Sequence, residues 1–154
     1  MTLISNNLYS ENTRGPLPAI QPAEGPGAVE KVAFAGVAGA PVLPVGTPVY
    51  VAVATGLYAK IDPSAALGAT NDIFGIVWPA PIQLGTDSPA TEVLGTIMIR
   101  GAVDFAVLEA LRASSVLAGT NQQLKDVCRK PSNRERGIRI ENLDKLGTTT
   151  TGLA

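Results

Sequence analysis

The chain has 154 residues, a formal net charge of −1, no histidine and a single cysteine, and only 16% of its residues are charged, against about 25% in ordinary soluble domains. The length suits one domain, large enough to bury roughly 70% of its unfolded surface. The missing histidine removes the commonest general base and metal ligand, and lone Cys128 excludes an internal disulfide or a cysteine-based zinc site.

Residues 1–30, MTLISNNLYSENTRGPLPAIQPAEGPGAVE, are rich in Asn, Pro and Gly, with scattered rather than periodic apolar residues. Such a segment cannot bury enough surface to offset backbone ordering at about 1–2 kcal/mol per residue, so an extended arm is expected. Met1 to Arg14 has neither a basic n-region nor an apolar h-region, so no signal peptide is expected. Seven of the twelve prolines lie at or before Pro48, which leaves this first third poor in ladder donors and separates it from the strand-rich middle.

The most apolar stretch, VAFAGVAGAPVLPVG (32–46), is interrupted by Pro41, Pro44 and three glycines. It offers no membrane span. Its glycines lack the Gly-Lys-Ser/Thr and helix start of a phosphate loop, so it reads as strand and connection. With no span to explain the shortage of charge, the remaining explanation is surface hidden against other protein chains.

Short strands follow. TPVYVAVA, GLYAKI and DIFGIVW alternate apolar and mixed residues, and Asp62-Pro63, Gly68, Asn71-Asp72 and Gly85 punctuate them as turn formers. TEVLGTIMIRG is the next strand, with Arg100 between Ile99 and Gly101 where the chain must bend. DFAVLEALRA is the one good helix candidate: Phe105, Leu108 and Leu111 form a stripe, and Asp104 stands at the N-cap. GIRIENL reads as a closing strand, and GTTTTGLA as a frayed tail over residues 147–154.

Catalytic chemistry is thin. Asp62, Asp72, Asp87 and Asp104 sit at turns or a helix start, where aspartate bonds local backbone. No serine has a histidine partner or a Ser-x-x-Lys spacing. No enzyme activity, metal or cofactor is expected. The segment LKDVCRKPSNRERGIRI places Lys125, Arg129, Lys130, Arg134, Arg136 and Arg139 within fifteen positions. It has no interleaved aromatics and matches no nucleic-acid signature, so a solvated loop or a patch facing an acidic protein surface is expected rather than nucleic-acid binding.

The order of these features resembles the head decoration protein of bacteriophage lambda and its relatives: a Pro/Gly-rich arm, LPVGTPVYVAVATGLYAKIDPSAALGATNDIFGIVW, then GTIMIRGAVDFAVLEAL, then RGIRI. The resemblance covers roughly Pro44 to Leu143 and rests on order and spacing rather than on one motif. It implies a mainly β, small compact domain, barrel- or tulip-like, over residues 31–146 with one short helix. It also implies a homotrimer on the outer surface of the phage head, bound to the major capsid protein at threefold positions and made in the host cytoplasm. Ile4, Leu8 and Tyr9 would then anchor the arm on the capsid, while Arg100 is either a solvated strand-end residue or one half of an intersubunit or capsid ion pair. The sequence departs from the family pattern in the basic loop from Ala113 to Arg136 and in the tail past Leu146. Another virion module, such as a head fibre base or tail component, stays open, as does a β-barrel enzyme domain, which would need a convergent polar pocket.

Overall fold

The computed structural model describes residues 18–39, 41–86 and 92–144. Strand outweighs helix, as expected. The centre is a small closed barrel of five strands. Its long seam pairs β2 (Val29–Ala35) with β10 (Glu92–Met98) antiparallel over seven residues, from Glu92 opposite Ala35 to Met98 opposite Val29. β5 (Pro48–Val51) lies antiparallel between β6 (Tyr58–Lys60) and β7 (Gly75–Val77), and Phe34 beside Tyr58 closes the ring. Two short pairs extend it: β3 (Val37–Ala38) with β9 (Gly85–Thr86), and β4 (Val42–Leu43) with β8 (Ile82–Gln83).

Period-2 alternation makes one strand serve two cores. Ile97 and Val77 point inward to Phe34, Leu43, Val49 and Ile82, whereas their neighbours Met98 and Ile76 point outward. The outward pair packs beneath the helices with Val103, Phe105, Leu108, Leu124 and Val127, all buried. Losing alternation on β10 would expose one core or the other.

Beside the barrel stands a second sheet, of three strands. β1 (Ile20–Pro22) runs antiparallel to β11 (Gly101–Asp104), and β12 (Ile138–Glu141) runs parallel to β11 on the other side. Pro22 is tolerated because β1 is an edge strand. The arm expected to run through residue 30 is therefore part of the domain from β1 onward, with Ala28 buried and β2 already begun at Val29. Residues 1–17 lie outside the described ones, as does the tail expected over 147–154.

Helix α1 (Phe105–Ala113) forms where its apolar stripe required it, and Asp104 caps it by accepting from the Ala106 N–H at 2.9 Å. The expectation of one short helix is corrected. The segment expected as a basic loop holds α2 (Asn121–Cys128) and the single turn α3 (Pro131–Arg134). α2 begins with a reciprocal capping box, in which the Thr120 hydroxyl accepts from the Gln123 N–H and the Gln123 side chain accepts from the Thr120 N–H. It buries Leu124, Val127 and Cys128 on one face. Pro131 at the first helical position starts α3 without losing a needed donor.

Candidate interaction surfaces

Arg100 stands in the bend between β10 and β11, just where the chain turns from the barrel into the second sheet. Gly101 makes the turn with φ at 151°, and a Cβ there would collide with the Gln21 carbonyl oxygen. The turn lets the chain rise beneath β1. Arg100 is exposed, and its Nη2 donates to the Pro26 carbonyl at 3.0 Å. Its own carbonyl accepts from the Ala23 N–H at 2.9 Å, so side chain and backbone together strap residues 23–26 to the barrel end. Its stem lies against Gly137, where any Cβ would come within 2.9 Å of the Arg100 Cγ. Among the described residues Arg100 has no carboxylate partner. Ile4, Leu8 and Tyr9 lie outside the described residues.

Two cations of the basic segment, Lys130 and Arg136, are turned inward, while Arg129, Arg134 and Arg139 stay exposed. Lys130 is mostly buried, and its ammonium donates to the Asp72 carboxylate at 2.6 Å, the Gly68 carbonyl at 2.8 Å and the Asn71 Oδ1 at 3.0 Å, which accounts for all three of its hydrogens. Ser132 adds a hydroxyl to Asp72 at 3.2 Å, and the Arg136 guanidinium stacks 4.0 Å over the Phe74 ring. Burial pushes the Asp72 carboxyl up, but Lys130, with Ser132 and Arg136, outweighs it and holds the group below the ordinary aspartate value. Asn133 lies buried behind this latch, accepting from the Ile73 N–H at 2.8 Å and donating to the Asn71 and Val127 carbonyls at 3.0 and 2.8 Å. These contacts fasten the turn at 68–73 to α2 and α3. Arg129 and Arg139 form exposed pairs with Asp144 and Glu141, and such pairs contribute little to stability. Arg134 is exposed and has no carboxylate partner among the described residues.

Two further surfaces bear on function. One is the bare part of the barrel wall: Leu94 stands 65% exposed opposite Ala33, on the same outward face whose far end, at Met98, is covered by the helices. Lys31 and Glu92 flank it. The other is a groove of about 460 Å³ along β12, between the ends of α2 and α3 and the turn at 142–144. Cys128 lies at its base, where burial pushes the thiol up to about 12, so it has no nucleophilic role at neutral pH. Among the described residues there is no cluster of three or more His, Cys, Asp or Glu side chains able to hold a metal, and no helix long and apolar enough to cross a membrane. The chain matches no known protein-family model and no curated protein.

The latch at Asp72 and Lys130 and the buried Asn133 were not found by sequence reasoning, because their partners are some sixty residues apart. The helix α2 did have a readable signal, the Thr-x-x-Gln spacing at 120–123 followed by Leu124, Val127 and Cys128.

Proposed function

We propose that the chain is a phage head decoration, or cement, protein: a homotrimer that binds the major capsid protein on the outside of the expanded head and stabilises the shell against the pressure of packaged DNA. The reading rests on the sequence of elements, in which the pair β5–β6, then β7, then β10 followed by the Arg100-Gly101 bend, then α1, then β12 follow in the order the lambda-type resemblance implies. The low charge and the exposed Leu94 on the barrel wall support a surface matched to protein.

Two truncations and one substitution test it on expanded heads that lack decoration, prepared from the phage encoding the chain. Removing residues 2–17 should abolish or sharply reduce occupancy at threefold positions in cryo-electron micrographs while leaving thermal unfolding nearly unchanged. Removing residues 2–28 should in addition destabilise the domain, because it deletes β1 and the Ala28 carbonyl that accepts from the Ile99 N–H at 2.8 Å. Leu94→Glu should fold normally and weaken either the trimer or head binding. A full-length chain that forms a stable dimer, or that leaves expanded heads bare, refutes the proposal and favours another virion module.

A further inference from the structure

β12 is the outer strand of its sheet, paired on one side only among the described residues. The Gly101 N–H donates to the Gly137 carbonyl at 3.0 Å, which fixes the phase of the parallel ladder. In such a ladder alternate residues direct both backbone groups to the same neighbour. Residues 137, 139 and 141 therefore face β11, and the N–H and C=O groups of Ile138 and Ile140 face away, toward the groove. Those are four backbone groups aligned along an edge, two donors and two acceptors.

The groove's volume lies within the range of about 300–1,000 Å³ that ligand clefts occupy. Ile140 and Leu143 give it an apolar floor, and Arg129, Arg134 and Arg139 stand around it. Asp144 pairs with Arg129 and also lies in reach of Arg134's charge, and Glu141 pairs with Arg139, so three arginines face two carboxylates and Arg134 is in no ion pair among the described residues. Short exposed pairs of this kind exchange partners readily, since each is worth about 0–1 kcal/mol.

From these features we infer that the β12 edge is a docking site for an extended acidic peptide segment of another protein, added as a strand with its carboxylates on the arginines. Strand addition supplies the backbone bonds, and side-chain pockets supply selectivity. The phosphates of a nucleic-acid backbone satisfy the arginines but only accept, so the backbone offers nothing to the Ile138 and Ile140 carbonyls, which a peptide strand complements with its N–H groups. The site is separate from the Leu94 wall and does not depend on the capsid reading.

The test uses the full chain and two blocked nine-residue peptides, one alternating valine with glutamate and its valine–lysine twin. The glutamate peptide should slow hydrogen exchange at the Ile138 and Ile140 amides and weaken markedly when salt is raised to about 0.5 M. Its lysine twin should bind about tenfold less well, the direction set by like-charge repulsion. Arg134→Gln should weaken the acidic peptide about two- to fivefold, the worth of one exposed pair. Ile140→Pro removes an outward-facing donor that an edge strand tolerates losing, and it should abolish binding with the circular dichroism unchanged. The inference is overturned if both amides are already protected in the free chain, which would mean the edge is filled by the chain itself or a second copy. It is equally overturned if the lysine twin binds as well, if neither peptide binds at about 1 mM, a concentration that detects only about −4 kcal/mol, or if oligothymidylate displaces the acidic peptide.

Discussion

Replacing Asn133 by alanine tests whether the buried polar knot, rather than the apolar helix face alone, holds α3 against the barrel. The side chain is 4% exposed and makes three hydrogen bonds. Its loss does not orphan all three partners. The Val127 carbonyl keeps the Lys130 N–H at 3.1 Å, whereas the Ile73 N–H and the Asn71 carbonyl are left without a backbone substitute. Two buried orphans at about 1–3 kcal/mol each give a loss of about 4 kcal/mol. For a domain of this size, that lowers Tm by roughly 10–15 °C. Urea denaturation with a two-state fit measures it, and amide exchange at Ile73 should rise with it. Asn133→Asp sharpens the test. It keeps the acceptor for Ile73 but turns an oxygen toward two carbonyls, so at pH 7 it should be worse than alanine. Its folded pKa should be raised, so stability returns below the unfolded value and is lost as pH rises through the folded one. A loss under about 1 kcal/mol for Asn133→Ala, well below the cost of one typical buried orphan, would refute the reasoning.

The Asp72 latch predicts an acid-side instability: with its folded pKa depressed, its stabilisation is full above the ordinary aspartate value of about 3.9 and is lost as pH falls through the folded value. Asp72→Asn should be less stable than the parent at pH 7 and should lose less stability on acidification, as read by Tm against pH. Cys128 should resist iodoacetamide in the native state and react only on unfolding, because burial pushes its thiol to about 12; rapid native labelling would contradict its placement. Gly101→Ala should destabilise by roughly 2–4 kcal/mol, since it combines a left-handed φ with a collision against Gln21. Raised exchange at the Asp104 amide, which donates to the Ala19 carbonyl at 2.8 Å, read by mass spectrometry or NMR, would show whether β1 has come away.

Local signals were the legible ones. The β10 alternation, the α1 stripe and the Asp104 cap are each written within a dozen residues, and each formed where the residues required it. What the sequence hid depends on distant partners. Ile20–Pro22 carries a proline and only three residues, and it is a strand solely because Gly101–Val103 offers it a ladder. Counting charge along 125–139 suggested a solvated loop, but α2 and α3 turn Lys130 and Arg136 onto Asp72 and Phe74, far away in sequence. Within that stretch the capping box at Thr120 was a stronger sign than the cations that followed it.

The inward use of charge bears on what the outside is fitted to meet. A chain with so few ionisable groups commits Lys130, Arg136 and Asp72 to one internal latch and pairs Arg129 and Arg139 with its own carboxylates. Little is left for long-range steering of a charged ligand, which needs a large single-sign field. Among what remains exposed are short-range features: apolar Leu94, with Val53 and Leu67 elsewhere on the surface, and a strand edge unpaired on one side among the described residues. Surfaces of that kind gain their free energy by excluding water at close contact, and they do so best when many identical copies are held in register. A trimer fixed on a repeating lattice meets that condition. On the proposed reading the sparseness of charge and the exposed Leu94 would answer one requirement, since ions left unpaired at such contacts would oppose binding through their desolvation cost.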